Sequence, residues 1–302
     1  MNTKLMIIKE FLKYIIQQKK YSANTSVNYS VDLSQFQVFI QENFSNNNIL
    51  ECSHQDIRFW MSQMIEREKL STRTIHRKIS TLRSFYKYAL RLHYIEQNPM
   101  LRIVAPKANK KLPVYVSEKS MNDIVEVSFE NESVYKKILH FTIIETFYNV
   151  GIRLSELKNL KTKDIDFNNK TIKVLGKGKK ERIIPFIPEF EKALKAYLFV
   201  KNEKFPNNTI ENLFLLEKGK PLYEKYIYRV VQKRLASVTT LKKKSPHVLR
   251  HTYATHLSNS GAPIADLRDL LGHVSLSATQ VYTHTSLEKI REIYKQAHPK
   301  AQ

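Results

Sequence analysis

The sequence predicts a two-part, mainly α-helical chain with a small β-sheet in its second part. Three observations carry this. The first hundred residues hold four stretches with apolar side chains at helical spacing. A proline-rich, basic stretch, "NPMLRIVAPKANKKLP" from Asn98 to Pro113, then breaks the pattern. Beyond it, helical patterns continue on either side of two short β-branched runs, "TIKVL" and "ERIIPF". The expected organisation is a four-helix domain over residues 1–105, a linker over 106–113, and an α+β domain over 114–302.

The elements follow in order. Leu5, Ile8, Leu12, Ile15 and Ile16 form the first apolar stripe. Lys9, Glu10 and Lys13 interrupt it and no small-residue cleavage site follows, so it reads as an amphipathic helix and not a signal peptide. Tyr29, Leu33, Phe36 and Ile40 form the second, opened by polar "SANTS". Ser53 and Asp56 resemble a capping box ahead of Ile57, Trp60, Met61, Met64 and Ile65. "STRTIHRKISTLRSFYKYAL" opens on a Ser-Thr cap and places Ile75, Ile79, Leu82 and Tyr86 at helical spacing. Its other faces carry Arg73, Arg77, Lys78, Arg83 and Lys87. A charged face is usually solvated surface, but a nearly all-positive one is more often a phosphate-contact face.

In the second part, "SVYKKILHFTIIETFYNVG" reads as a buried helix ending at Gly151, and "RLSELKNL" starts another. The two β-branched runs flank "GKGKK" as a hairpin. Helical patterns follow at Pro188–Lys204, Tyr223–Val238, His247–Ser260, Ile264–Leu271 and Leu287–Gln296, with no internal repeat and no low-complexity tract.

Composition narrows the partners. The net charge is +22 over 302 residues. Residues 1–110 carry 17 basic and 8 acidic side chains and residues 111–302 carry 33 and 20, so both parts are basic. A lysine-rich composition by itself gives such an excess, but a neutral enzyme with a basic tail does not, and a polyanion is the natural partner. No run of about 18 apolar residues is present to make a membrane span. The single cysteine, Cys52, allows no internal disulfide and fits a reducing cytoplasm.

Four stretches carry unusual polar residues. In "NVGIRLSEL", Arg153 follows a helix-ending glycine at the entry to the next helix, where a guanidinium can fork onto a phosphate. "GKGKKER" brackets Lys177 with two glycines at a hairpin tip; alone it is as well explained by a solvated basic turn, and it is no phosphate loop of the GxxxxGK[ST] kind. In "SPHVLRHTYATHL", His247, Arg250 and His251 lie at i, i+3 and i+4 of a helix. The HxxxH spacing lacks the glutamate of a zinc helix, and an arginine on the same face repels a cation, so an anion site is the better electrostatic reading. In "LGHVSLSATQVYTH", His273 follows a glycine-ended helix and Tyr282 stands between His273 and His284. Asp164 and Asp166 of "KDIDF" look like a metal pair but read as loop and strand-edge residues.

Taken in order, "RLSEL", "GKGKKER", "HVLRHTYATHL", "LLGH" and "VYTH" resemble the tyrosine recombinase (integrase) family, and the tail "SLEKIREIYKQAHPKA" resembles its Xer-type branch. The motifs run from Arg153 to the C-terminus, and the N-terminal helices have the size and place of the family's SAM-like core-binding domain. The resemblance implies that Arg153, Lys177, His247, Arg250, His273 and the nucleophile Tyr282 form the catalytic set, with Glu156 beside the first arginine and His251 in support. The basic side chains of the fourth helix and the hairpin, Arg73, Arg77, Lys78, Arg83, Lys179 and Lys180, are the expected DNA contacts. No metal and no other cofactor is expected, because two arginines neutralise a phosphorane and the phosphotyrosyl link conserves bond energy for religation. The implied partner is a double-stranded recombination site, clamped by two domains and bound by a homo- or hetero-tetramer that exchanges C-terminal helices, with a second recombinase or an activator protein as a further expected partner. The implied role is Xer-like chromosome dimer resolution in a bacterial cytoplasm, in association with the nucleoid. The first helix is not preceded by an arm-binding domain, which favours this simpler class over an integrase or excisionase of a mobile element. A non-catalytic DNA-binding regulator on the same fold would need neither Lys177 nor Tyr282.

Overall fold

A computed structural model describes residues 3–44, 48–107, 114–126, 132–176 and 180–272. The chain divides into two compact units, Met1–Lys111 and Leu112–Gln302.

The first unit is built on four helices, α1 (Thr3–Gln17), α2 (Ala23–Asn43), α3 (His54–Glu66) and α4 (Thr72–Arg91). Serines start three of them. Ser22 and Ser71 accept the backbone N–H groups of Thr25 and Thr74, and Ser53 with Asp56 forms the expected capping box. The stripe of α4 is buried as expected, and so is that of α2 apart from Tyr29, which is half-buried. The first and third helices depart from expectation. In α1 the buried line is Ile7, Phe11 and Ile15, one step round from the expected stripe, which leaves Ile8 and Leu12 partly buried and Ile16 half exposed. In α3, Ile57, Trp60, Met61 and Met64 face the core, and Ile65 is turned outward for the same reason. Phe36 packs on Trp60 with ring centroids 4.7 Å apart, and Tyr86 donates to the Ile49 carbonyl at 2.6 Å.

The linker-like stretch is partly folded. Pro99–Arg102 forms a 3-10 turn, and Met100 and Ile103 are buried in the first unit's core. Arg83 donates to the Ile103 carbonyl at 2.9 Å, and His76 Nε2 lies 2.6 Å from the Pro106 carbonyl.

The second unit contains α5 (Glu118–Glu126), α6 (Val134–Val150), α7 (Leu154–Asn159), a sheet of β1 (Ile165–Asp166), β2 (Thr171–Leu175) and β3 (Glu181–Pro185), then α8 (Pro188–Lys204), α9 (Glu224–Ala236), α10 (Pro246–Asn259) and α11 (Ile264–Leu271). The sheet is antiparallel in the order β1-β2-β3, with Ile172 opposite Ile184 and Val174 opposite Arg182. α6 is buried nearly all round, polar side chains such as Glu145 and Asn149 included, and packs against α8, α9 and α10 at the centre of the core. It ends at Gly151, whose φ of +57° is left-handed. A side chain there would collide with the Tyr253 ring of α10, so the glycine also sets how closely α10 approaches. α11 ends the same way at Gly272, φ +62°.

Candidate active site

The two glycine-ended helices bring the conspicuous arginines together. Arg153 is the N-cap of α7, just past Gly151. Its backbone N–H donates to Glu156 Oε2 at 2.8 Å, and its guanidinium donates to Glu156 Oε1 at 2.7 Å and to the Gly272 carbonyl at 2.9 Å. Arg250, buried on α10, donates to the Gly151 carbonyl at 2.6 Å and to that of Leu271. A third arginine, Arg182 of β3, donates through Nε to the Leu270 carbonyl at 2.9 Å and through Nη1 and Nη2 to the two Glu156 oxygens at 3.0 and 2.8 Å. Three successive carbonyls at the end of α11 thus each accept from a different arginine. The partial negative charge of a helix C-terminus favours this gathering of cations.

The electrostatics are lopsided toward positive charge. Burial pushes the Glu156 carboxyl up, but Arg182 and Arg153 outweigh it and bring it down to about 2. Burial, reinforced by Arg153 and Arg182, lowers Arg250 to about 10, which leaves it charged at neutral pH. Three guanidiniums therefore face one carboxylate. The Arg153 side chain keeps 30% of its surface open to solvent while that of Arg182 keeps 5%, so of the two arginines that share Glu156 it is Arg153 that can meet a ligand.

Other expected residues are less concentrated. His247 is exposed on the first turn of α10, one turn before Arg250. His251 is half-buried and lines a groove with Ala254, Leu267 and Arg268, so the two histidines and Arg250 do not all serve one surface. Lys180 is exposed, and its carbonyl accepts from Gly176 at 2.8 Å to close the hairpin. Lys177, Lys179, His273, Tyr282 and the helix expected over Leu287–Gln296 lie outside the described residues. Asp164 and Asp166 are taken up locally: Asp164 accepts from Lys161 N at 2.9 Å, and Asp166 from Asn169 N and Nδ2 at 2.9 and 2.8 Å.

On α4, Arg73 and Lys87 are exposed as expected of a contact face. Arg77 is held by Asp32 at 2.5 Å with 37% of its side chain exposed, and Arg83 is exposed but engaged with Ile103. Lys78 departs from the expectation. It sits one turn from Ile75 and Leu82, on the buried face, with its ammonium 3.5 Å from buried Asp32 and 5.3 Å from the Trp60 ring centroid. As placed, it has no surface to offer a phosphate.

Arg182 is the residue that sequence reasoning missed. The signal was present in the alternation of "ERIIP": a strand that turns Ile184 inward turns Arg182 inward too. An arginine at a core position of a hairpin requires a buried anion, and "SEL" had supplied one.

The phage integrase family matches this chain over residues 115–289, and the N-terminal SAM-like domain of phage integrases matches residues 8–93. The chain belongs to the phage integrase family. The tyrosine recombinase XerC of Oceanobacillus iheyensis is 36% identical over 100% of this chain and 98% of its own length, and that of Bacillus subtilis is 36% identical over 97% and 96%. With these relatives, the chain is a site-specific tyrosine recombinase, Xer-like in sequence. Its fold is shared with solved DNA recombinases and integrases. The XerH recombinase in a post-cleavage complex with palindromic difH substrate aligns with a TM-score of 0.72 at 20% identity, over 98% of this chain and 93% of that one. The Tn1549 transposon integrase in complex with circular intermediate DNA aligns with a TM-score of 0.69 at 22% identity, over 98% and 97%.

Proposed function

We propose that this recombinase cuts and rejoins duplex DNA through a 3′-phosphotyrosyl intermediate on Tyr282. The observation that carries the reading is the pairing of Arg153 and Arg250 on adjacent carbonyls, Gly272 and Leu271, immediately ahead of His273. Those two guanidiniums hold the non-bridging oxygens of the scissile phosphate and neutralise the pentacovalent phosphorane. The phenolic oxygen of Tyr282 attacks phosphorus. A phenol with a reference pKa of about 10 is mostly protonated at neutral pH, so His247 takes its proton as the bond forms. The bond from phosphorus to the 5′-oxygen breaks, and Lys177 on the β2–β3 hairpin protonates the departing oxygen. His273 donates a hydrogen bond to a non-bridging oxygen. The reverse steps, with a different 5′-hydroxyl as nucleophile, reseal the strand. The charge that a metal would supply comes from the arginines, so the reaction runs without a divalent ion or a nucleotide.

The DNA partner is a double-stranded recombination site. Both units contribute, the first through the outer face of α4 at Arg73, Arg77 and Arg83, the second through the hairpin residues Lys179 and Lys180. We assign it to chromosome dimer resolution in the bacterial cytoplasm at the nucleoid, acting as a homo- or hetero-tetramer with exchanged C-terminal helices, and with a second recombinase or activator where the site requires one. The identity of the named XerC relatives over nearly their whole length supports this role, and a lone buried cysteine is compatible with a reducing compartment.

Genomic DNA bound by the Tyr282→Phe protein gives the target site. A nicked suicide duplex carrying that site, incubated in EDTA without nucleotide, should trap a covalent adduct with the unaltered protein and none with Tyr282→Phe, at nearly equal DNA affinity. An adduct that persists in Tyr282→Phe moves the nucleophile elsewhere, and a strict magnesium requirement for cleavage counts against arginine-based neutralisation.

A further inference from the structure

Arg182 has no role in the chemistry above, yet it is the most fully committed of the three arginines. Its side chain is 5% exposed, and three of its donors are spent on Leu270 and Glu156. It cannot turn to a phosphate without abandoning a buried carboxylate. What it does instead follows from how Glu156 is shared. Oε1 accepts from Arg153 Nη1 and from Arg182 Nη1, and Oε2 accepts from the Arg153 backbone N–H and from Arg182 Nη2. Each oxygen is split between the two arginines. A carboxylate without Arg182 would swing to take both forks of Arg153 and draw that guanidinium off the Gly272 carbonyl.

The second contact fixes the other side of the site. Arg182 Nε holds the Leu270 carbonyl, two residues before Gly272. The approach is close. A Cβ on Gly272 would lie 3.3 Å from Arg182 Cδ and Nη1, and the residue's φ of +62° also favours glycine.

We propose that Arg182 is a positioning residue for the phosphate site: through Glu156 it aims the Arg153 guanidinium, and through the Leu270 carbonyl it fixes the end of α11 that leads to His273. One buried guanidinium on β3 thereby sets both the Arg153 guanidinium and the end of α11 with a single rigid fork. A lysine keeps the charge but has no fork, and cannot bridge a carboxylate and a carbonyl in fixed geometry. The proposal rests on Arg153 being a phosphate ligand, as argued above. The charged groups facing Glu156 among the described residues are Arg153 beside it, Arg182 from β3 and Arg250 from α10, with neutral Tyr253 of α10 near the two latter arginines. Removing Arg182 takes away the largest favourable partner and leaves Arg153 alone to oppose burial, which raises a carboxyl.

The experiment uses the full chain as Arg182→Lys, Arg182→Gln and the double variant Glu156→Gln/Arg182→Gln, on the suicide duplex defined above. Affinity for the duplex and the single-turnover rate of adduct formation at saturating protein are measured from pH 5 to 8. Arg182→Lys should bind nearly as the unaltered protein does and cleave about a hundredfold more slowly, the cost of a misplaced catalytic group. Arg182→Gln should gain an acidic limb, its rate falling as pH drops, and the double variant should lose that limb. Cleavage at the unaltered rate by both single variants overturns the proposal. So does a parallel loss of binding and cleavage with no new acidic limb, which means Arg182 only holds β3 to α7. Should Arg182→Gln fail to fold, the split between binding and rate in Arg182→Lys decides. Absence of an adduct in the unaltered protein instead overturns the phosphate-site reading, and the proposal with it.

Discussion

Glu156 shows how much one buried carboxylate can organise. Its side chain is 4% exposed, and ionised it is worth keeping only because Arg153 and Arg182 answer it. Its folded-state pKa of about 2 lies below the reference carboxyl value of about 4.3. A group depressed in this way adds stability that is complete above the unfolded pKa and is lost as pH falls through the folded one. Glu156→Gln should therefore lower stability at pH 7 by about 3 kcal/mol, since it leaves buried guanidinium charge uncompensated. It should also flatten the loss of stability between about pH 4.5 and 2. Urea midpoints followed by circular dichroism at several pH values check both, and a variant as stable as the parent at pH 7 would contradict the clamp. Lys78 teaches the complementary point. Its charge suggested a DNA contact, but its position on the buried face of α4 gave it Asp32 and Trp60 as partners.

Among elements, the end of α6 and the β2–β3 hairpin matter most. Gly151 ends α6 in a left-handed conformation, presents its carbonyl to Arg250, and leaves room for Tyr253. Gly151→Ala meets a φ penalty of about 1 kcal/mol and a steric collision besides. It should lower thermal stability and slow cleavage together, because the carbonyl that seats Arg250 moves with the turn. An unchanged melting temperature would show that the turn relaxes without cost. The hairpin carries Lys177 between strands whose register is fixed by Ile172 opposite Ile184. Lys177→Ala should slow cleavage of ordinary DNA by a factor of roughly 10² to 10⁴, the usual range for a lost general acid. The defect should shrink on DNA with a 5′-bridging sulfur, where the leaving thiolate needs no proton. Equal defects on both substrates would make Lys177 a binding residue and not the acid.

At the scale of the whole molecule, the charge of +22 is spread over both units. If it serves DNA, affinity should fall steeply as salt rises from 50 to 200 mM, by roughly 10³-fold or more for about six neutralised phosphates. A titration that is flat over that range would make the charge compositional only.

Caps, hairpin and every described helix but α5 were legible in the sequence because each depends on neighbours within a few residues. A serine three residues before a backbone N–H caps α3, and alternation of side chains pairs β2 with β3, whatever lies beyond. The order of the motifs, from "RLSEL" to "VYTH", likewise pointed to the family, because short motifs at fixed separations are read without any knowledge of how the chain folds. Only the tertiary structure decided which arginines share an anion. Arg153, Arg182 and Arg250 belong to α7, β3 and α10, and nothing local relates them. Their meeting at the carbonyls of Leu270, Leu271 and Gly272 follows from two left-handed glycines that end α6 and α11 side by side, with Tyr253 lying against Gly151. Burial settled the rest, because the cost of an unpaired charge away from water is what turned Lys78 toward Asp32 and Arg182 toward Glu156.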